Sequence, residues 1–140
     1  MQITGFTSLD RTAERLCRRM AGLHPLHDAI ASDLRALLRD RPEVNAGRAF
    51  VRERDRAPGL YVIESGWALR TRTLRCGRRQ IIDYCLPGDM LGAEAVMFGS
   101  SGFDLVARSA LRALRLETPG PEDLWRRYPG LAAAVTWTAA

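Results

Sequence analysis

The chain has 140 residues, of which 46% are hydrophobic and 26% charged, a composition that fits one folded domain and excludes disorder or a collagen-like repeat as its main state. No apolar run reaches the ~18–20 residues of a membrane helix, and Arg11, Arg15, Arg18 and Arg19 break up the stretch a signal peptide would need. The net charge is +5, from 21 basic residues against 16 acidic; all the basic ones are arginine, so only diffuse attraction to polyanions follows unless they gather on one face.

Residues 1–47 read as a helical segment. Leu9, Ala13, Leu16, Cys17 and Met20 recur at three- and four-residue steps. Gly22 and Pro25 break the pattern, and Ile30, Leu34, Leu37 and Leu38 resume it until Pro42. Residues 48–118 change texture to short β-type runs split by Gly and Pro. Strands are expected at Phe50–Arg52, Leu60–Ile63, Trp67–Leu74, Gln80–Leu86, Phe103–Ala107 and Leu111–Leu116. Cys76-Gly77 is expected as a two-residue hairpin turn. Pro87-Gly88 suits the two central positions of a tight turn. A short helix is expected around Ala93–Met97. In residues 119–140, Pro121 opens a helical unit that Pro129-Gly130 closes, and Leu131–Ala140 starts another helix. The fold class is α+β: a small antiparallel β-roll flanked by N- and C-terminal helices.

Three ordered motifs carry a resemblance. Gly59-Leu60-Tyr61-Val62-Ile63-Glu64-Ser65-Gly66, then Gly77-Arg78-Arg79-Gln80-Ile81-Ile82, then Leu86-Pro87-Gly88-Asp89-Met90-Leu91-Gly92 resemble the jelly-roll-like cyclic-nucleotide-binding fold. Together they cover roughly residues 45–117 and are similar to the sensor domain of the Crp/Fnr superfamily of bacterial transcription regulators. In nucleotide-binding members a glycine-glutamate pair opens a short helix, and the glutamate contacts the ribose. An arginine followed by a small hydroxyl residue then grips the phosphate, the cation a buried anion requires.

The resemblance places Gly92 at the head of that segment, Ala93 where the glutamate is expected, and Glu94 one place late, rotated by about 100° on a helix. No arginine lies between Arg79 and Arg108, and the arginine slot falls at about Ser101-Gly102. Phe103 and Asp104 follow, and a carboxylate there would repel a phosphate. Gly92, Ala93, Glu94, Ser100 and Ser101 are the candidate ligand residues. Cyclic nucleotide is not expected to bind in the usual mode, and no cofactor is expected.

Cys17, Cys76 and Cys85 are odd in number and widely spaced, implying neither a disulfide framework nor a zinc or iron–sulfur site. A reducing cytoplasm is the expected compartment. Cys76 lies near Arg75, Arg78 and Arg79, cations that raise a thiol's reactivity; an incidental surface thiol is the simpler reading. His24 and His27 flank Pro25 and read as a solvated loop. The arginines 70, 72, 75, 78 and 79 read as a solvated hairpin face, with a polyanion-facing patch as the alternative. No nucleophile elbow, metal triad or Walker loop appears, so an enzyme is not expected.

The resemblance implies an effector-sensing domain of a transcription regulator. DNA would be read only by a C-terminal helix-turn-helix that this chain does not contain. The alternative is a free-standing small-molecule-binding module that signals to a protein partner. Leu131, Val135 and Thr138 stand at helix-seam spacing with Trp137 beside them, where the family's dimerisation helix begins. A homodimer using these residues is the expectation, with no membrane partner and an unknown small-molecule effector.

Overall fold

The computed structural model describes residues 7–20, 24–56 and 58–139; Gly22 and Ala140, named above, lie outside them. Helix α1 (Ser8–Arg19) starts at Thr7, whose hydroxyl accepts from the Asp10 N–H at 3.2 Å while the Asp10 carboxylate accepts from the Thr7 N–H at 3.1 Å. This reciprocal cap satisfies two amides left over at the helix start. Leu9, Ala13, Leu16 and Cys17 are buried, as their spacing predicts. A single turn at His24–Leu26 leads into α2 (His27–Leu37), which buries Ile30, Leu34 and Leu37.

Strands begin before the expected change of texture at Arg48. Leu38 leaves the helix for β1 (Leu38–Asp40), and β2 (Glu43–Val44) follows. Both are drawn out of helical conformation by a strand far along the chain, β9 (Leu111–Leu116). Leu38 pairs with Leu116 and Glu43 with Arg112, while Arg115 grips the Asp40 carboxylate with two bonds of 2.8 Å. Local periodicity carries no trace of such a partner.

The remaining strands are β3 (Ala49–Val51), β4 (Leu60–Ser65), β5 (Ala68–Thr73), β6 (Arg79–Cys85), β7 (Met90–Leu91) and β8 (Asp104–Ala107). One antiparallel sheet runs β1–β9–β4–β7, with β2 also on β9; the other runs β3–β8–β5–β6. Leu60 and Val62 of β4 point into a core shared with α1, α2 and the C-terminal helices, and Tyr61 and Ile63 into the roll between the sheets. Pro87 and Gly88 form the expected turn, with Gly88 at φ +90° and the Asp89 N–H donating to the Leu86 carbonyl at 2.9 Å. The β5–β6 connection is longer than expected. Its Gly77 N–H donates to the Leu74 carbonyl and its Leu74 N–H to the Arg78 carbonyl, a three-residue Arg75-Cys76-Gly77 loop.

Helix α3 (Ala93–Phe98) follows β7, and α4 (Pro121–Arg127) opens on Pro121 as expected. Pro129-Gly130 does not close that unit but begins α5 (Pro129–Ala139). A Cβ on Gly130 would stand 2.8 Å from the Ile30 backbone nitrogen, so α5 touches α2 nearly backbone to backbone. Asp33 accepts from the Leu131 N–H at 3.0 Å and caps the new helix.

This docking corrects the expected seam. Leu131 and Val135 do not form a free edge, because with Ala132 and Ala134 they are buried among Ile30 and Leu34 of the same chain. Trp137, 51% exposed, and the half-buried Thr138 stay at the surface. Among the described residues no helix is long and apolar enough to cross a membrane.

Two glycines in left-handed backbone differ in surroundings. At Gly77 (φ +85°) a Cβ would meet nothing within 4 Å, whereas at Gly66 (φ +81°) it would lie 2.2 Å from the Ala110 carbonyl oxygen. Gly77→Ala is expected to cost about 1–2 kcal/mol for the backbone conformation alone. Gly66→Ala should add overpacking of about 1–3 kcal/mol. Urea unfolding midpoints check the order, and equal losses in the two variants would refute it.

Candidate functional site

Gly92 sets the site. Its φ is +93°, and a Cβ there would lie 2.6 Å from the Gly59 carbonyl oxygen. Only a glycine lets the chain pass so close to the start of β4 and turn directly into α3. Ala93 is fully buried in the core beneath α3 and offers a methyl group where the family glutamate is expected. Glu94, one residue on, is half-buried, and its Oε1 is enclosed with no hydrogen-bond partner.

The loop after α3 is committed to its own closure. The Ser101 side chain is buried, its hydroxyl donating to the Phe103 carbonyl at 2.7 Å and accepting from the Phe103 N–H at 3.2 Å. Its backbone binds Arg54 N–H at 2.7 Å and the Asp55 carbonyl at 2.9 Å, and Ser100 forms a bridge with Arg56. Asp104 accepts from the Glu53 N–H at 2.7 Å. Of the five candidate ligand residues, Glu94 alone holds a buried polar side-chain atom with no partner.

The cations come from β5. The guanidinium carbons of Arg70 and Arg72 lie 5.2 and 4.9 Å from the centre of the Phe103 ring, within the range of cation–π attraction. The Nε of Arg70 is enclosed without an acceptor. From the sequence, Arg70 is expected on a solvated hairpin face; the structure turns it inward. Alternation along Trp67–Leu74 puts Ala68, Arg70 and Arg72 on one face; what the sequence does not show is that this face turns toward the roll, where Ala68 is buried.

Arg70 also borders a cleft of about 290 Å³ with Asp83, Cys85, Leu91, Trp137 and Thr138, close to the lower limit for small-molecule pockets. Burial pushes the Cys85 thiol up to about 11, with Arg70 pulling the other way, and burial also raises Cys17. Cys76 is exposed. His27 faces its neighbour Asp28 at 3.2 Å. Among the described residues no three His, Cys, Asp or Glu side chains gather where they could hold a metal.

The family model of the cyclic nucleotide-binding domain matches residues 41–128, and the chain belongs to this family. No curated protein matches it. Among solved structures, the catabolite activator protein of Thermus thermophilus is similar at 23% identity and a TM-score of 0.69, covering 87% of this chain and 55% of that one. The sensor domain of the transcriptional regulator DNR from Pseudomonas aeruginosa shares 15% identity over 93% of this chain and 87% of that one, with a TM-score of 0.65. The regulatory domain of Toxoplasma gondii PKA, crystallised with cAMP, shares 18% identity over 90% and 45%, with a TM-score of 0.66. These likenesses are of fold, and the chain spans about half the length of the catabolite activator protein it matches.

The three thiols should separate cleanly. At pH 8 a thiol reagent is expected to label Cys76 quickly in the native protein, and Cys17 and Cys85 only after unfolding. Peptide mapping checks this, and fast native labelling of Cys85 would contradict its enclosure.

Proposed function

We propose that this chain is the effector-sensing domain of a Crp/Fnr-type bacterial transcription regulator whose effector is not a cyclic nucleotide held in the usual mode. Its role is regulation by binding, not catalysis, in the cytoplasm. The observation that carries the reading is Ser101-Gly102, standing where the resemblance implies a phosphate-gripping arginine and a small hydroxyl residue, with Phe103 and Asp104 following. The cations nearest this point belong to β5 and lie against an aromatic ring. A cyclic phosphate entering there meets Phe103, with Asp104 beside it. Glu94 and Arg70, each with an enclosed unpartnered atom, are the side chains through which another effector would be recognised.

Calorimetry with cyclic AMP should show no saturable heat at micromolar nucleotide. A micromolar dissociation constant, about 8 kcal/mol, would overturn the reading.

The domain is further proposed to associate as a weak homodimer through the exposed end of α5. Trp137, half exposed beside Thr138, stands across the cleft from Tyr84, 58% exposed. Sedimentation velocity over a range of concentrations should show self-association. Trp137→Ala should weaken it without lowering the unfolding midpoint. A concentration-independent monomer whose Trp137→Ala variant loses stability would defeat the dimer.

A further inference from the structure

The arginines that form ion pairs are confined to one part of the molecule. Each arginine in an ion pair belongs to α1, α2, α4 or the β1–β2–β9 edge: examples are Arg35 with Asp10, Arg39 with Glu117, Arg112 with Glu43 and Arg126 with Glu122. Among the described residues, no arginine of β3, β5, β6, β8 or their connecting loops has a carboxylate partner. A genomic bias toward arginine explains the absence of lysine but not this asymmetry.

Seven arginines without a carboxylate partner lie at one end of the β3–β8–β5–β6 sheet. Thr71 pairs with Asp104 and Val51 with Leu105, so the loop after β3, the loop before β8 and the β5–β6 hairpin share that end. The first loop exposes Arg52, Arg54 and Arg56, and the hairpin exposes Arg72, Arg75, Arg78 and Arg79. The local acids neutralise them only in part: Glu53, Asp55 and Asp104 are three carboxylates against seven guanidiniums, leaving four positive charges in excess, and Asp55 and Asp104 bond the backbone N–H groups of Arg52 and Glu53 rather than a guanidinium.

The array is also held in place. Arg54 sits in left-handed backbone at φ +74°, a conformation non-glycine residues seldom adopt unless the surroundings enforce it. Here the bonds between residues 54–55 and Ser101 enforce it.

We infer that this end of the sheet is a binding surface for a nucleic-acid phosphate backbone, read without base specificity. Strands lie ~4.8 Å apart, so β3 and β6 span about 14 Å. Duplex DNA carries about eight phosphate charges over that length. Arginine's planar fork suits phosphate oxygens. An acidic protein partner fits less well, because protein interfaces have an apolar centre, whereas among the arginines at this end the one large apolar side chain is Leu74, the exposed Ile81 and Ile82 of β6 lying to one side beyond Arg79.

The test is fluorescence anisotropy of a labelled 20-base-pair duplex with the 140-residue chain at 50–200 mM salt. The unaltered chain should bind with steep salt dependence. Combining Arg75→Ala, Arg78→Ala and Arg79→Ala should lower the log–log salt slope by roughly 2.7, at about 0.9 per lost phosphate contact, and weaken binding at least ~10-fold at 50 mM salt. A charge-matched control, Arg39→Ala with Arg112→Ala and Arg126→Ala, should change binding less than ~3-fold. Equal weakening in both variants would reduce the effect to net charge and overturn the inference. So would absence of binding by the unaltered chain at 50 mM salt, or poly-glutamate binding as tightly as the duplex, which would indicate an acidic protein. Thermal melts accompany each variant. If alanine lowers a melting point, Arg75→Gln with Arg78→Gln takes its place: a lowered slope supports the surface, and an unchanged slope overturns it.

Discussion

One wall of three strands holds two cores apart. In β4, β7 and β9, neighbouring side chains face opposite ways, and both faces are covered. Leu60, Val62, Met90, Leu114 and Leu116 belong to the core under the helices; Tyr61, Ile63, Leu91, Leu111 and Ala113 belong to the interior of the roll. The period-two geometry of a strand makes this division unavoidable once both sides are dry. Everything else hangs on this wall: α1, α2 and α5 lie on one side, the second sheet on the other, and the Gly92 turn at its edge. A one-residue slip in β4 would exchange the contents of both cores at once.

Much of this was legible in the sequence. The run from Leu60 to Ile63 is apolar at every position, as a strand buried on both faces must be. The glycines at 66, 77, 88 and 92 marked corners, and each has positive φ. The apolar stripes of the first two helices show in the spacing of Leu9, Ala13, Leu16 and Cys17 and of Ile30, Leu34 and Leu37. What was missed depended on distant partners. Leu38–Asp40 and Glu43–Val44 are strands because β9 lies beside them, and Leu131 and Val135 are core because α2 meets Gly130 at backbone distance. Spacing alone could not distinguish a seam for a second chain from a face for this one.

The candidate site was legible in part. Motif order points to the segment from Gly92 to Ser101, Glu94 included. It does not point to Arg70, which in sequence is one of the hairpin arginines although it lies on the inward face of β5 with Ala68. Along β5 exposure rises from the buried Ala68 through the half-buried Arg70 to the exposed Arg72, both guanidiniums lying against Phe103, and beyond the strand Arg75 and Arg78 face solvent.

The attachment of α5 has a mechanical consequence. Its first turn is pinned by the Gly130 contact and the Asp33 cap, whereas Trp137 near its far end is half exposed. Ala134 and Val135, both buried, and Ala139 hold the rest of the helix against the same core. A helix clamped along its length moves as one body with the elements it is clamped to, so a displacement of α2 reaches the Trp137 indole undiminished, where the chain meets its surroundings.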